Sequence, residues 1–297
     1  MKRVFGTFFI CFILIFMLFP ITANADMGPK PSINITFDNM GDEICYGTLL
    51  GEGGTGPYSP WDGDKAHIQN YSNLDLDIWE AFAYYQDSDG YYFLQEAWLC
   101  SDSKRLCWSY YPPDPFKILL YYPETDTFLV SGIYEGYAFD SYFSVNMEDI
   151  DISSDKAQEI TLIAERNYDY TGEVISMVFR IVITVLLELG IAFIFGFRQK
   201  QLLVFIAGTN IVTQVILNVM LNVIRYKHGT GLIAFIVLYI PYEIVVFIAE
   251  IVLYCVFFNR ISKTKIPIWK PAVYAIAANI ISFVAGFWIS MYIPMFF

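Results

Sequence analysis

Histidine is nearly missing from this chain: His67 and His228 are the only two in 297 residues. Without a Cys/His pair at zinc spacing, a histidine-based metal or catalytic centre has little to be built from. Cysteine is scarce as well, five in all, with Cys11 in an N-terminal apolar run and Cys255 in a long apolar segment. Only Cys45, Cys100 and Cys107 remain to pair, so at most one disulfide forms among them; Cys100 and Cys107 are spaced to close a hairpin, geometry permitting. Basic residues are few, 18 against 30 acidic, for a net charge of −12. No basic stripe exists, which argues against a nucleic-acid partner.

Apolar side chains are what the chain has in excess. They make up 56% of it, and aromatic rings 18%, where soluble domains run at about 45–50% apolar. Charge is also segregated. Asp26 to Gly172 holds 26 acidic and 7 basic residues, whereas the remainder holds 4 acidic and 11 basic ones. Such asymmetry predicts two domains in different solvents.

Lys2 and Arg3 precede an apolar run from Val4 to Phe19, then Pro20 and Ala23-Asn24-Ala25. This pattern predicts a signal peptide over residues 1–25, cleaved before Asp26, with an uncleaved anchor as the alternative. Residues 26–152 read as an extracytoplasmic β-rich domain. Ile33, Ile35 and Phe37 alternate with polar residues, and Lys117–Tyr122 and Thr127–Tyr134 flank a Pro123–Asp126 turn as a hairpin. Tyr137, Phe139, Phe143 and Val145 continue the alternation. One helix is expected where Ile78, Trp79, Phe82 and Tyr85 share a face behind Asp75 or Asp77. An immunoglobulin-like sandwich is the expected layout. Asp87-Ser88-Asp89-Gly90 resembles the start of a calcium loop, but its glycine comes too early, and a helix-ending turn accounts for it better. The tryptophans are expected in the core, with a glycan-binding surface as the alternative.

Residues 153–173 form a connector, with a short helix capped by Ser153, Ser154 or Asp155 through Glu165, then tyrosines at the membrane interface. Four apolar segments follow at about 174–196, 201–224, 231–257 and 271–296, each long enough to span. The fold class expected is therefore a membrane α+β protein, a β-rich domain followed by a four-helix transmembrane bundle over 174–297. Loops predicted inside carry Arg198, Lys200, Arg260, Lys263, Lys265 and Lys270, and the outer loop only Arg225 and Lys227. That bias agrees with an outside N-terminal domain and an outside C-terminus in the cell membrane.

The third span carries Glu243 and Glu250 seven residues apart, both on one helical face. Each costs roughly 2.5–3.5 kcal/mol if charged at the bilayer centre, so something must receive that face. Pro241 frees the carbonyl of Val237 beside it. The first span offers Arg180, Thr184 and Glu188; the second Asn210, Thr213, Gln214, Asn218 and Asn222; the fourth Asn279, Ser282, Gly286 and Ser290. Centring each span places Glu243, Glu188, Asn210, Thr213 and Asn279 within about 8 Å of the midplane, with Glu250 some 10 Å nearer the cytoplasm. Glu188, Glu243 and Glu250 are expected to face the amides across the bundle, and Arg180 to snorkel outward, a buried counter-ion being its alternative role. Midplane carboxylates among amide oxygens suit a proton or cation. Two other readings compete: hydrogen bonds that merely hold helices together, or an intramembrane enzyme on lipid or peptide, which no His–acid or Ser–Lys arrangement supports. An enzyme is the weaker expectation, and no cofactor is implied. Expected partners are membrane lipid, an envelope ligand for the acidic domain, and another membrane protein.

Asp26-Met27-Gly28-Pro29-Lys30-Pro31-Ser32, Tyr91–Glu96, Tyr111-Pro112-Pro113-Asp114, Phe195-Gly196-Phe197-Arg198, Asn210–Gln214 and Glu243–Glu250 carry a family likeness. Through them the chain resembles an uncharacterised family of Gram-positive, clostridial-type membrane proteins. The resemblance covers nearly the whole mature chain. It implies a secreted N-terminal domain on a four-span membrane unit, and it implies no activity or site residue.

Overall fold

The computed structural model describes residues 30–64, 68, 74–148, 150, 152, 160–228 and 240–292. The leader, Asp26–Pro29, residues 153–159 of the connector and the expected start of the third span at residues 231–239 lie outside those residues, as do the side chains of residues 160, 161 and 286–292.

The N-terminal half is β-rich. Its strands are β1 Ser32–Asp38, β2 Tyr46–Gly51, β3 Tyr92–Phe93, β4 Trp98–Leu99, β5 Arg105–Trp108, β6 Phe116–Tyr122, β7 Thr127–Ser131, β8 Asp140–Asn146, β9 Ile160–Leu162 and β10 Ala164–Arg166. One sheet runs β10-β8-β1-β5 and the other β3-β2-β6-β7-β9, with β4 also on β2. The period of two makes both. Ile33, Ile35 and Phe37 of β1 turn inward with Phe143 and Val145 of β8, and they meet Leu49, Ile118, Leu120 and Leu129 of the other sheet in one apolar core. The pairings β1–β8 and β7–β9 are parallel, unlike the antiparallel sheets of the immunoglobulin plan. The expected helix through Glu165 is replaced there by β9 and β10, which extend the β-rich region to Arg166, past the expected boundary at residue 152.

Helix α1, Leu76–Tyr84, follows Asp75 and carries Asp77 in its first turn, where acids offset the helix dipole. It lays Trp79 and Phe82 on the outer face of the second sheet, against Leu50, Phe93, Leu119 and Tyr121. Strand β6 is thereby buried on both faces. Lys117 shares the helix-covered face with Leu119 and Tyr121, and it is only 2% exposed. Its ammonium donates to Asp87 Oδ1, and to Asp89 Oδ2 at 2.9 Å. The Asp87–Gly90 turn, which follows the helix end at Tyr84 rather than forming it, therefore encloses a tethered cation.

Geometry does not permit the Cys100–Cys107 bridge that their spacing left open, and Cys45, Cys100 and Cys107 are all free thiols. Leu106 and Trp108 face the core, so Cys107 between them faces solvent, while Cys100 is buried with Cys45. Burial pushes the Cys45 thiol up to about 12 and the Cys100 thiol well above its ordinary value. Alkylation of the folded protein is expected to modify Cys107 and spare Cys45 and Cys100 until denaturant is added, as read by peptide mass spectrometry; equal rates at all three would contradict this burial.

Glu96 is a second buried group, 8% exposed, and its Oε2 has no hydrogen-bond partner among the described residues. Burial raises its carboxyl to about 7, against about 4.3 in the unfolded chain. The folded state therefore holds the proton longer than the unfolded one. Stability from this group is intact below the lower value and falls as pH rises through the upper one. Denaturant midpoints at about pH 5 and about pH 8 are expected to diverge for wild type and to converge for Glu96→Gln; an unchanged difference would clear Glu96 of the effect.

The C-terminal half holds α2 Thr171–Ile194, α3 Lys200–His228, α4 Ile240–Ile261 and α5 Trp269–Tyr292. Each packs on two others, α2–α3, α3–α4, α4–α5 and α5–α2. Helices α2, α3 and α4 are long and apolar enough to cross a membrane, and the described apolar part of α5 is Trp269–Ala285. Val178, Val182 and Leu186 of α2, Val204 and Ile216 of α3, and Val245, Ile248 and Val252 of α4 are exposed, which suits contact with lipid. Helix α2 ends on Gly196 at φ +78, where Gly196 N–H reaches Phe193 O at 3.0 Å and Phe197 N–H reaches Ala192 O at 2.9 Å. This is the paired 5→2 and 6→1 closure that a left-handed glycine permits.

The halves also meet away from their covalent junction. Phe139 N–H donates to Tyr226 O at 2.8 Å. The Tyr226 ring lies among Tyr137, Tyr168 and Tyr170, with centroids 5.1–6.2 Å away.

Candidate functional site

Spacing decides which side chains meet inside the helices. The buried residues of α4 are Val246, Glu250, Tyr254 and Phe258, one every four residues. Helix α3 buries Ile206, Asn210, Gln214 and Asn218 at the same interval, with Thr209 and Leu217 beside them. Residues four apart stack on one face, so each helix presents a single inward stripe. Glu188 is the buried acid of α2, and Tyr274, Ala275 and Ala278 line the inward side of α5.

The four stripes converge on two carboxylates. Glu188 Oε2 accepts from Asn210 Nδ2 and, at 3.4 Å, from the Tyr274 hydroxyl, which also reaches the Glu188 carbonyl at 3.2 Å. Asn210 Nδ2 lies 3.0 Å from the Tyr254 hydroxyl as well. Glu188 is therefore bonded directly to side chains of α3 and α5, and reaches Tyr254 of α4 through Asn210. Glu250 Oε1 accepts from Thr213 at 2.7 Å, and Oε2 from Asn279 Nδ2 at 2.7 Å. The Thr213 hydroxyl is 3.1 Å from the Asn210 carbonyl, which joins the two groups along α3. Glu188 is 1% exposed and Glu250 0%. Among the described residues, no Lys, Arg or His lies within salt-bridge reach of either. Asn210 is itself fully buried, and its Oδ1 has no partner among the described residues.

Glu243 is not in this hydrogen-bond network. It lines an adjoining cavity of about 30 Å³ with Arg180, Thr184, Gln214, Asn218, Ser282 and Asn279, the last of which also bonds Glu250. Arg180 does not snorkel outward: its guanidinium Nη1 donates to Asn218 Oδ1 at 3.1 Å, pointing inward. Asn218 in turn donates to the Gln214 carbonyl at 2.8 Å. Of the residues expected to cluster, Glu188, Asn210, Thr213, Glu250 and Asn279 are joined by hydrogen bonds, whereas Gln214, Asn218 and Glu243 line the cavity that Asn279 also borders. The described part of α4 runs to Ile261, four residues past the expected end at 257.

The chain matches no family model, no curated protein and no solved structure.

Two members of the network lay outside the expected cluster. Tyr254 falls beside the Glu face in the sequence, but its hydroxyl was not assigned a partner. Tyr274 sits five residues before Asn279 near the start of an apolar segment, where tyrosine ordinarily anchors at the interface. Its burial at 0% places it instead against Glu188.

What the arrangement can do follows from its donors. Asn210 and Asn279 turn their N–H groups toward the carboxylates, as do Thr213 and Tyr274 their O–H groups. A cation would need lone pairs turned toward it instead. Among the described residues, no group of three or more His, Cys, Asp or Glu could hold a metal ion. Two buried carboxylates without a basic partner need neutralising charge, and a proton fits this donor set better than a metal does.

Proposed function

We propose that the protein is a multi-pass cell-membrane protein whose four helices cross the bilayer and enclose a proton-exchanging carboxyl pair, Glu188 and Glu250. The β-rich region, read as a two-sheet sandwich, lies outside, binds an envelope ligand and precedes a C-terminus that is also outside. The inner-loop excess of Lys and Arg supports that orientation, and the family resemblance is compatible with it. The single observation that carries the proton reading is that both acids are buried and hydrogen-bonded only to neutral donors, Asn210 and Tyr274 on Glu188 and Thr213 and Asn279 on Glu250. Asn210 Oδ1 adds an acceptor in want of a donor, which a protonated carboxyl could supply.

The full chain in liposomes loaded with a pH-sensitive dye tests this. Under an imposed potential, wild type is expected to move protons faster than protein-free vesicles. Absence of any flux in correctly folded wild type would leave the acids as helix-holding hydrogen bonds.

A further inference from the structure

The ends of the helices far from the β-rich region form a cavity that the carboxyl pair does not use. It has a volume of about 130 Å³ and is lined by Phe197, Arg198, Gln199, Thr264, Lys265 and Lys270 among others. One wall is the glycine closure of α2 at Gly196. The other is the turn between α4 and α5. Gln199 clamps the walls together: its Nε2 donates to Ser262 Oγ at 3.1 Å and Thr264 Oγ1 at 3.2 Å, and its Oε1 accepts from Lys263 N–H at 2.9 Å. Asn259 braces the turn from behind, with bonds of 2.8 Å to both the carbonyl and the N–H of Ile266. The cavity is thus built by side-chain bonds between two loops.

Its charge is of one sign. Arg198, Lys265 and Lys270 contribute three cations, and Glu188 and Glu250 are the nearest acids along the chain on either side. Among the described residues, none of the three cations has a carboxylate within ion-pair reach. Lys270 Nζ is held 5.2 Å over the Phe197 ring, which fixes its position while leaving its donors free for a ligand. Thr264 and Gln199 supply polar edges. Three cationic residues lining a pocket of this size match a phosphate group, which carries charge and acceptor oxygens in several directions at once.

We propose that this cavity binds a phosphate group, the source being either an anionic lipid headgroup at the membrane surface or a soluble phosphate. The lipid source rests on the membrane reading above; the phosphate chemistry does not. Basic pockets between helix ends on the inner side of a membrane are a recurrent setting for such headgroups.

The test uses the purified full chain. Native mass spectrometry counts phosphatidylglycerol retained from nanodiscs of phosphatidylcholine doped with phosphatidylglycerol, and thermal unfolding in detergent is followed with added inorganic phosphate. Each of Arg198→Gln, Lys265→Gln and Lys270→Gln is expected to lower binding about fivefold. Lys200→Gln, an exposed cation beside the cavity but not in its lining, is expected to leave binding unchanged. Retention of phosphatidylglycerol without a phosphate shift assigns the lipid source, and the reverse assigns a soluble one. Neither response in folded protein, or an equal loss from Lys200→Gln, would overturn the site. Lys265 is exposed in a turn, so its variant reports even if Lys270→Gln fails to fold. Because proton flux is read separately, failure here leaves the carboxyl pair standing, and the converse holds.

Discussion

Replacing Lys117 by methionine is expected to cost the β-rich region about 3–5 kcal/mol, the loss typical when one partner of a buried ion pair is removed. Asp87 is the reason. Its side chain is 0% exposed, and Lys117 is the cation facing it. Methionine fills nearly the same space, so the loss comes from charge and not from a cavity. The N–H groups of Asp89 and Tyr91, at 3.0 and 3.3 Å from Asp87 Oδ2, relieve part of it. Against a total of about 5–15 kcal/mol for a domain, the effect is large. Denaturant unfolding followed by tryptophan fluorescence measures it, since Trp79 packs on the same face of the sheet. Pairing Lys117→Met with Asp87→Asn is expected to recover much of the loss. A single variant within about 1 kcal/mol of wild type would mean the pair behaves as an exposed one. Burial alone would lower the Lys117 ammonium, but its hydrogen bonds to Asp87 and Asp89 outweigh that and hold it above its ordinary value. The contribution is therefore complete from neutral pH up to about 10.4 and is lost only as pH rises through the higher folded value.

The second large effect belongs to the carboxyl pair. Glu188→Gln and Glu250→Gln are each expected to lower proton flux by about 10²-fold or more, because each removes a group that can take and release a proton. Folding is expected to survive. Glutamine keeps a carbonyl oxygen for Asn210 or Thr213, and each hydrogen bond between helices is worth only about 0.6–2 kcal/mol. Alanine at either position is a harsher change, since it leaves Asn210 and Tyr274, or Thr213 and Asn279, without their acceptor. Flux retained in both glutamine variants would sink the proton reading. Glutamine variants that fail to assemble would return these acids to a purely structural role.

Much of the carboxyl site was legible because a spacing of four along a helix survives folding unchanged. Asn210, Gln214 and Asn218 had to share a face whatever packed against them, and Glu250 had to fall on the stripe with Tyr254. The end of α4 was not legible, because Asn259, Arg260 and Ile261 continue the helix past the last run of apolar residues. In the β-rich region, β1 and the β6–β7 hairpin followed from alternation and turn chemistry. Strands β9 and β10 did not, since three residues become a strand only when another sheet edge receives them. Lys117 reads as a solvent-facing residue until the loop carrying Asp87, 30 residues earlier in the chain, is folded over it.

The Tyr226 clasp has a mechanical consequence. The β-rich region leaves Arg166 and enters α2 at Thr171, so a single covalent strap would let it swivel. A second anchorage at the end of α3, through the Phe139–Tyr226 backbone bond and the surrounding rings, removes that swivel. Helix α3 also carries Asn210 and Thr213, which grip the two acids. Tilting the β-rich region therefore works α3 as a lever with its handle at Tyr226 and its short arm at the carboxyls.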